Sequence, residues 1–341
     1  MITWGISGNS HDASLAVFKH QPWLKILFAS HSERYSGKKN DAHLNTALIK
    51  DALNYGEPEE VIWYENPYKK TLRQIYAGQG YKTFKKNRIR KYLHNYNIKC
   101  PVYFVDHHRA HCAGGYYTSG FTDATVICID SIGEFETLSI WSAEGNKLKR
   151  VYSQGYPHSV GLWYSAMTQR IALKPQEDEY ILMGMAAYGD PNRFYDSIHN
   201  DLLTINNLGV KPLIQFKQNL HRGCLWWQPE YNSPQDILDI ASSTQRVYEE
   251  IFDHVLKQAR MKTSSKNLVV MGGCALNCSA NSQAYNYFDN VWIMPNPGDA
   301  GSALGAVLSH YNKHIEWPGP FLGHNIDCLL YTSPSPRDNL P

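Results

Sequence analysis

Short apolar runs broken by polar turns fill the first third of the chain. Met1 to Ile6, Ala13 to Phe18 and Leu24 to Ala29 read as three consecutive strands, divided by the turns Ser7 to Asp12 and His20-Gln21-Pro22. The period changes at His43 to Tyr55, where Leu44, Leu48 and Leu53 recur at helical spacing. Glu60 to Tyr64 is a strand, and Lys69 to Asn95 is a basic amphipathic stretch with a solvated helical face. Val102 to Val105 is the next strand. The polar string Asp106-His107-His108-Arg109-Ala110-His111 follows it and opens a helix.

The same order then returns. Ala124 to Asp130, Thr137 to Ser142 and Lys147 to Tyr152 are strands, and Ser159 to Leu173 and Asp236 to Arg260 are helices. The strand Leu268 to Met271 leads into a helix from about Leu276 to Tyr287, and the strand Val291 to Met294 into a helix from Asp299 to Tyr311. Identity between the halves is weak, but each gives the element order βββαβαβα. This predicts an α/β protein of two similar lobes around a cleft, 1–122 and 123–326, the second with an insertion at about 174–234. Residues 327–341 stay outside the fold reading. The string from Cys328 to Asp338 is similar to a translated sequencing adapter, or else reads as a Pro/Ser-rich tail.

Composition narrows the function classes. With 33 Lys and Arg against 31 Asp and Glu, the net charge of +2 implies no polyanion partner, and nucleic acid is not expected. Seven Cys without a CxxC pair argue against a disulfide framework or a zinc ribbon. No apolar run is long enough to span a membrane. Met1-Ile2-Thr3-Trp4 enters a strand directly, so no signal peptide is expected and a cytoplasmic protein is. The insertion carries Trp226, Trp227 and Tyr231, a candidate wall for a substrate. Its cluster Glu177, Asp178 and Glu179 reads as a solvated helix start.

The chemistry centres on His107 and His111. Four residues apart on a helix, they share a face and can grip one metal ion. Asp299 opens the equivalent helix of the second half, so element order sets the two helix starts opposite one another. Asp130 ends the first strand of the second half, where α/β folds bind ligands. Two imidazoles and two carboxylates suit a divalent metal, Fe or Mn ahead of Zn, with open positions left over. No Glu follows His107, which excludes the zinc-peptidase pattern. Gly272 and Gly273 offer backbone N–H groups to a phosphate, or form a tight turn that needs Gly. Asn277 contacts a ribose or phosphate, or caps a helix. His11 and Asp12 form an acid/base pair, or are turn residues.

These segments together resemble the NodU/CmcH-type O-carbamoyltransferases. The resemblance is carried by GNSHDAS (Gly8 to Ser14), SERYSGKK (Ser32 to Lys39), DHHRAH (Asp106 to His111), IDSIGE (Ile129 to Glu134) and YPHSVGLWYSAMT (Tyr156 to Thr168). It continues through DEYILMGMAAYGDP (Asp178 to Pro191), GGCALNCSAN (Gly272 to Asn281) and PNPGDAGSALGA (Pro295 to Ala306), in order from residue 1 to about 326. It implies the duplicated actin/sugar-kinase/Hsp70-like (ASKHA) fold. It also implies a two-step reaction, in which carbamoyl phosphate and ATP give carbamoyl-adenylate in a C-terminal YrdC-like domain. The N-terminal domain then moves the carbamoyl group to a small-molecule hydroxyl acceptor.

On this resemblance His107, His111, Asp130 and Asp299 hold the metal. Gly272, Gly273 and Asn277, with Gly133 and Gly301, lie along the nucleotide, and His11 with Asp12 stands nearest the acceptor hydroxyl. A homodimer is compatible with it. The chain departs from the family pattern at Ser131, Asp178, Ile181 and Gly37, and no YrdC-like domain follows residue 326. The alternative readings are a tRNA threonylcarbamoyladenosine-type transferase and a non-catalytic nucleotide- or metal-binding scaffold. Near-neutral charge and the ERYSGKK and DEYILMGMAAYG segments weigh against the first.

Overall fold

Two sheets of the same design carry the molecule. The computed structural model describes residues 1–80 and 85–323; the tail 327–341 and Lys82 of the basic stretch lie outside the described residues. In the first half, β1 (Ile2–Ser7) pairs antiparallel with β2 (Ser14–Lys19), which pairs with β3 (Lys25–His31). On its other side β1 pairs parallel with β4 (Glu60–Trp63), and β4 with β5 (Val102–Phe104). The order is β3-β2-β1-β4-β5.

The second half repeats this plan. Its hairpin strands are β6 (Asp123–Ile129), β7 (Glu136–Glu144) and β8 (Lys147–Gly155). The insertion adds a separate pair, β9 (Leu203–Ile205) and β10 (Ile214–Phe216). Then β11 (Asn267–Met271) joins β6 in parallel, and β12 (Asn290–Trp292) joins β11. The order β8-β7-β6-β11-β12 is that of the first sheet, with the sequence halves in register.

The period-two pattern of the second sheet feeds two cores. Ala124, Val126 and Cys128 of β6 and Val269 and Met271 of β11 belong to the core shared with the first half. Ile127 and Ile129 with Leu268 and Val270 point the other way, into a core closed by the long helix Pro234–Lys262. That helix starts at a capping box of Ser233 and Asp236.

Each half lends its last helix to the other. The histidine helix His107–Thr118 lies on β6, β7 and β11, and the helix Ser302–Tyr311 lies on β1, β2 and β4. The two helices touch where small residues allow it. A Cβ on Gly305 would fall 2.1 Å from the Ala110 carbonyl oxygen; where the second helix lies on β1, a Cβ on Gly5 of that strand would fall 1.9 Å from the Ala303 oxygen. Among the described residues no helix is long and apolar enough to cross a membrane.

The structure departs from the expected elements in three places. The stretch after Met271 is no continuous helix. It forms a 3₁₀ turn at Gly273–Leu276, a short helix at Cys278–Asn281 and a second 3₁₀ turn at Ser282–Asn286, broken where Asn277 takes ψ 86. The insertion holds helices Glu179–Met185 and Tyr195–Asp201, too short for any periodicity to show. The basic stretch divides into Pro67–Tyr76, a 3₁₀ turn at Lys85–Asn87 and Ile89–His94. In the first of these the solvated face is apolar. Lys70, Arg73 and Gln74 are buried, while Tyr68, Leu72, Ile75 and Tyr76 face solvent.

Candidate functional site

The start of the histidine helix is fixed by a distant carboxylate. Asp106 occupies the cap position without capping, and the His107 N–H donates instead to both Glu134 oxygens, at 3.1 and 3.2 Å. Glu134 also accepts from the Asn66 N–H at 2.6 Å, so one carboxylate ties the helix start to the loop after β6.

One helical turn then brings two imidazoles together. His107 Nε2 and His111 Nε2 lie 3.1 Å apart. Asp130 Oδ2 lies 3.1 Å from His107 Nε2, and Asp299 Oδ1 lies 3.3 Å from His107 Nε2 and 3.2 Å from His111 Nε2. All four side chains are buried, and their donor atoms lie within 4.8 Å of one another. His108 points away and meets Ser139 Oγ at 2.7 Å; burial and the neighbouring His107 push its pKa down to about 3.

The donor set fits a cation. His111 Nδ1 donates to the Pro297 carbonyl at 3.0 Å, which leaves its Nε2 lone pair aimed at the carboxylates. Burial alone would neutralise Asp130 and Asp299, but His107 beside both of them holds each below the usual carboxylate range. Conversely, burial disfavours the His107 imidazolium, while Asp299 and Asp130 hold its pKa well above the usual histidine range. Two carboxylates and two imidazole nitrogens thus crowd one buried point, an arrangement that a divalent ion neutralises.

His11 reaches the same point from the first half. Its Nε2 lies 3.5 Å from Asp299 Oδ2, and its Nδ1 lies 3.0 Å from Asp12 Oδ2. Asp12 sits at φ +52, which turns the loop so that the pair faces the cluster. Burial lowers the His11 pKa, but Asp299 and Asp12 outweigh it and raise it to about 9. A cation held at Asp299 would offset the largest of those raising causes.

The glycine loop forms a tight turn. The Gly272 N–H donates to the Pro297 carbonyl at 2.9 Å and the Gly273 N–H to Asp130 Oδ1 at 3.2 Å, so neither is open to a phosphate. Gly272 has φ +89, and a Cβ there would fall 2.2 Å from the Ile129 oxygen; the turn needs glycine to join three loops at the cluster. Asn277 exchanges two amide hydrogen bonds with Gln245, at 2.9 and 3.0 Å, and caps the Ala280 N–H. Gly133 lies against the His107 ring, and Gly301 fits below the Asn296 carbonyl.

A cavity of about 360 Å³ opens on the cluster. Asp130, Asp299, His11 and Asp12 line it, with Gly273 and Asn277; Gly272, Gly133 and Gly301 shape loops outside its lining. The insertion contributes Gln176, Glu177, Glu179, Tyr180 and Met183. Its expected wall is elsewhere. The Trp227 ring is buried with its N–H on Asp201 at 2.9 Å, Tyr231 stacks edge-on with Phe194, and neither they nor Trp226 reach the cavity.

Residues 54–308 match the family model of the carbamoyltransferase N-terminus. The chain belongs to this family. An uncharacterized protein of Synechocystis is 31% identical, with 92% of this chain and 57% of that protein covered. The 3′-hydroxymethylcephem-O-carbamoyltransferase of Amycolatopsis lactamdurans is 22% identical, over 96% of this chain and 63% of its own length. The chain therefore spans less than two thirds of either relative. Full-length HypF in its phosphate- and nucleotide-bound form superposes with a TM-score of 0.51 at 12% identity, over 91% of this chain and 55% of HypF. The fold is the duplicated, ASKHA-like one that the family resemblance implies, and the two lobes are those that the element order predicts.

Within this carbamoyltransferase domain, the sequence reading left out His31, Tyr164 and Tyr248, which line the cavity beside the glycine loop or at the end of β3. Tyr164 stood inside the YPHSVGLWYSAMT segment, so a signal was present. Tyr248 sits mid-helix at helical spacing with Ile251 and Phe252 and looked like any core residue.

Proposed function

We propose that this domain performs the transfer half of an O-carbamoylation. Carbamoyl-adenylate, made from carbamoyl phosphate and ATP by a YrdC-like domain, enters the cavity together with a hydroxyl-bearing acceptor. The acceptor oxygen bonds to the carbamoyl carbon, the bond from that carbon to the adenylate oxygen breaks, and AMP leaves. A divalent ion, Fe or Mn ahead of Zn, held by His107, His111, Asp130 and Asp299, supplies Lewis-acid polarisation of the carbamoyl or phosphate oxygens. His11 stands beside the acceptor and takes the hydroxyl proton, with Asp12 orienting its ring through the 3.0 Å contact. Gly273 and Asn277 border the nucleotide, while Gly272, Gly133 and Gly301 keep its loops in shape. The reaction belongs in the cytoplasm, where both phosphoryl substrates are made.

The observation that carries this reading is the meeting of four metal-type donors in one buried cluster, with Asp130 and Asp299 of that cluster lining the cavity, in a chain of this family. The test is carbamoyl-phosphate-dependent AMP release by the full-length, metal-replete protein across a panel of hydroxyl acceptors. Release that requires an acceptor supports the reading. No release with any acceptor sinks it and leaves the scaffold alternative.

A further inference from the structure

The helix Pro67–Tyr76 is amphipathic in the wrong sense for a surface helix. Its inner face is Lys70, Arg73 and Gln74. Lys70 Nζ meets Glu65 at 2.6 Å, and Arg73 Nε donates to the Glu134 carbonyl at 3.1 Å. Its outer face is Tyr68, Leu72, Ile75 and Tyr76, exposed by 73, 61, 56 and 69%, with Phe135 (38%) beside Tyr76 at 6.5 Å between rings. A helix ordinarily turns such a face inward, and a contiguous apolar patch of this kind marks an interface.

We propose that a second copy of this chain covers the stripe, the two helices packing antiparallel about a twofold axis at Leu72. Three observations select this occupant. The stripe reads Tyr68, Leu72, Tyr76 at spacings of four, so it is palindromic about Leu72. An antiparallel copy sets Leu72 against Leu72 and Tyr68 against Tyr76, with Ile75 against the apolar stem of Lys69, a self-complementary match of the kind a twofold interface demands. The stripe holds no charge: Lys69 leans aside to Asp106 at 2.7 Å, and Lys70 and Arg73 are inside. The area also suffices. At about 150–250 Å² per aromatic side chain the five residues present roughly 600 Å², so two copies cover roughly 1,200 Å², the lower end of stable specific interfaces.

This inference stands independently of the proposed reaction. The experiment is sedimentation equilibrium on the chain at micromolar concentration, with Leu72→Asp and Tyr76→Asp variants. The expected result is a species of twice 38.9 kDa that becomes monomeric in both variants with an unchanged circular dichroism spectrum. A Leu72→Cys variant, in which the exposed native Cys278 is changed to Ser, is expected to form a disulfide-linked dimer on mild oxidation, and Tyr103→Cys in that background is not. A monomeric wild type overturns the proposal. So does a dimer indifferent to Leu72→Asp, or a monomer whose stripe binds anionic vesicles.

Discussion

His111 Nε2 stands 3.2 Å from Asp299 Oδ1, although 188 residues separate them in the chain. His111 lies one turn into the closing helix of the first half, Asp299 lies in the 3₁₀ turn that leads into that of the second, and the duplication sets those two helix starts side by side. The contact joins the first half's imidazoles to the second half's carboxylate.

Metal retention follows from that contact. Wild-type chain loaded with Fe(II) or Mn(II) should keep about one equivalent through desalting, read by plasma mass spectrometry. His107→Ala and Asp299→Ala should lose it with circular dichroism unchanged. At a hundredfold excess over its Kd the ion should add about 2.7 kcal/mol of stability, removable by chelator. Equal metal content in all three proteins would show that the cluster is not the site.

His11 separates chemistry from binding. In the full-length protein His11→Gln should retain the metal and lower kcat by about 10²- to 10⁴-fold. A kcat equal to wild type would remove His11 from the acceptor side.

The crossing of the two closing helices sets a steric test. Gly305→Ala should cost about 1–3 kcal/mol in urea unfolding, because its Cβ overlaps the Ala110 carbonyl. Gly184→Ala, in a helix with open space around it, should gain about 0.5–1 kcal/mol. The same sign for both would contradict the packing.

The acid limb of stability should run through Asp239. Burial raises its pKa, but the Asp190 N–H at 2.7 Å, Arg193 at 2.8 Å and Gln235 at 2.8 Å outweigh it and hold it below the ordinary 3.8. A depressed carboxyl contributes stability that is fully present above 3.8 and is lost as the pH falls through the folded value. The stability gap between wild type and Asp239→Asn should therefore close as the pH drops below 3.8. A gap constant across that range contradicts the assignment.

The strands were legible because short apolar runs between polar turns are a local property, and the duplication could be read from the order of elements along the chain. The four-residue spacing of His107 and His111 is enough by itself to put them on one helical face. Asp299 needed the symmetry argument in addition, and Asp130 its place at the C-terminal end of a strand. What escaped depended on partners remote in sequence. Lys70 and Arg73 looked solvated because Glu65 and the Glu134 carbonyl, which receive them, are not adjacent in any helical pattern. Trp227 looked like a substrate surface because nothing local shows that Asp201 takes its N–H. The Gly272 and Gly273 N–H groups looked free because Pro297 and Asp130 arrive from other strands.

The lending of helices between halves constrains how such a chain can have arisen. One half alone would hold a closing helix with no sheet of its own to lie on and a sheet with one face left uncovered. Two identical halves resolve both defects by trading helices, with a twofold axis near the close approach of Gly114 and Gly305. The architecture is the one that fusion of a symmetric pair of short chains would leave. The axis of that pair would have carried two equivalent helix starts, free after fusion to diverge into an imidazole end and a carboxylate end.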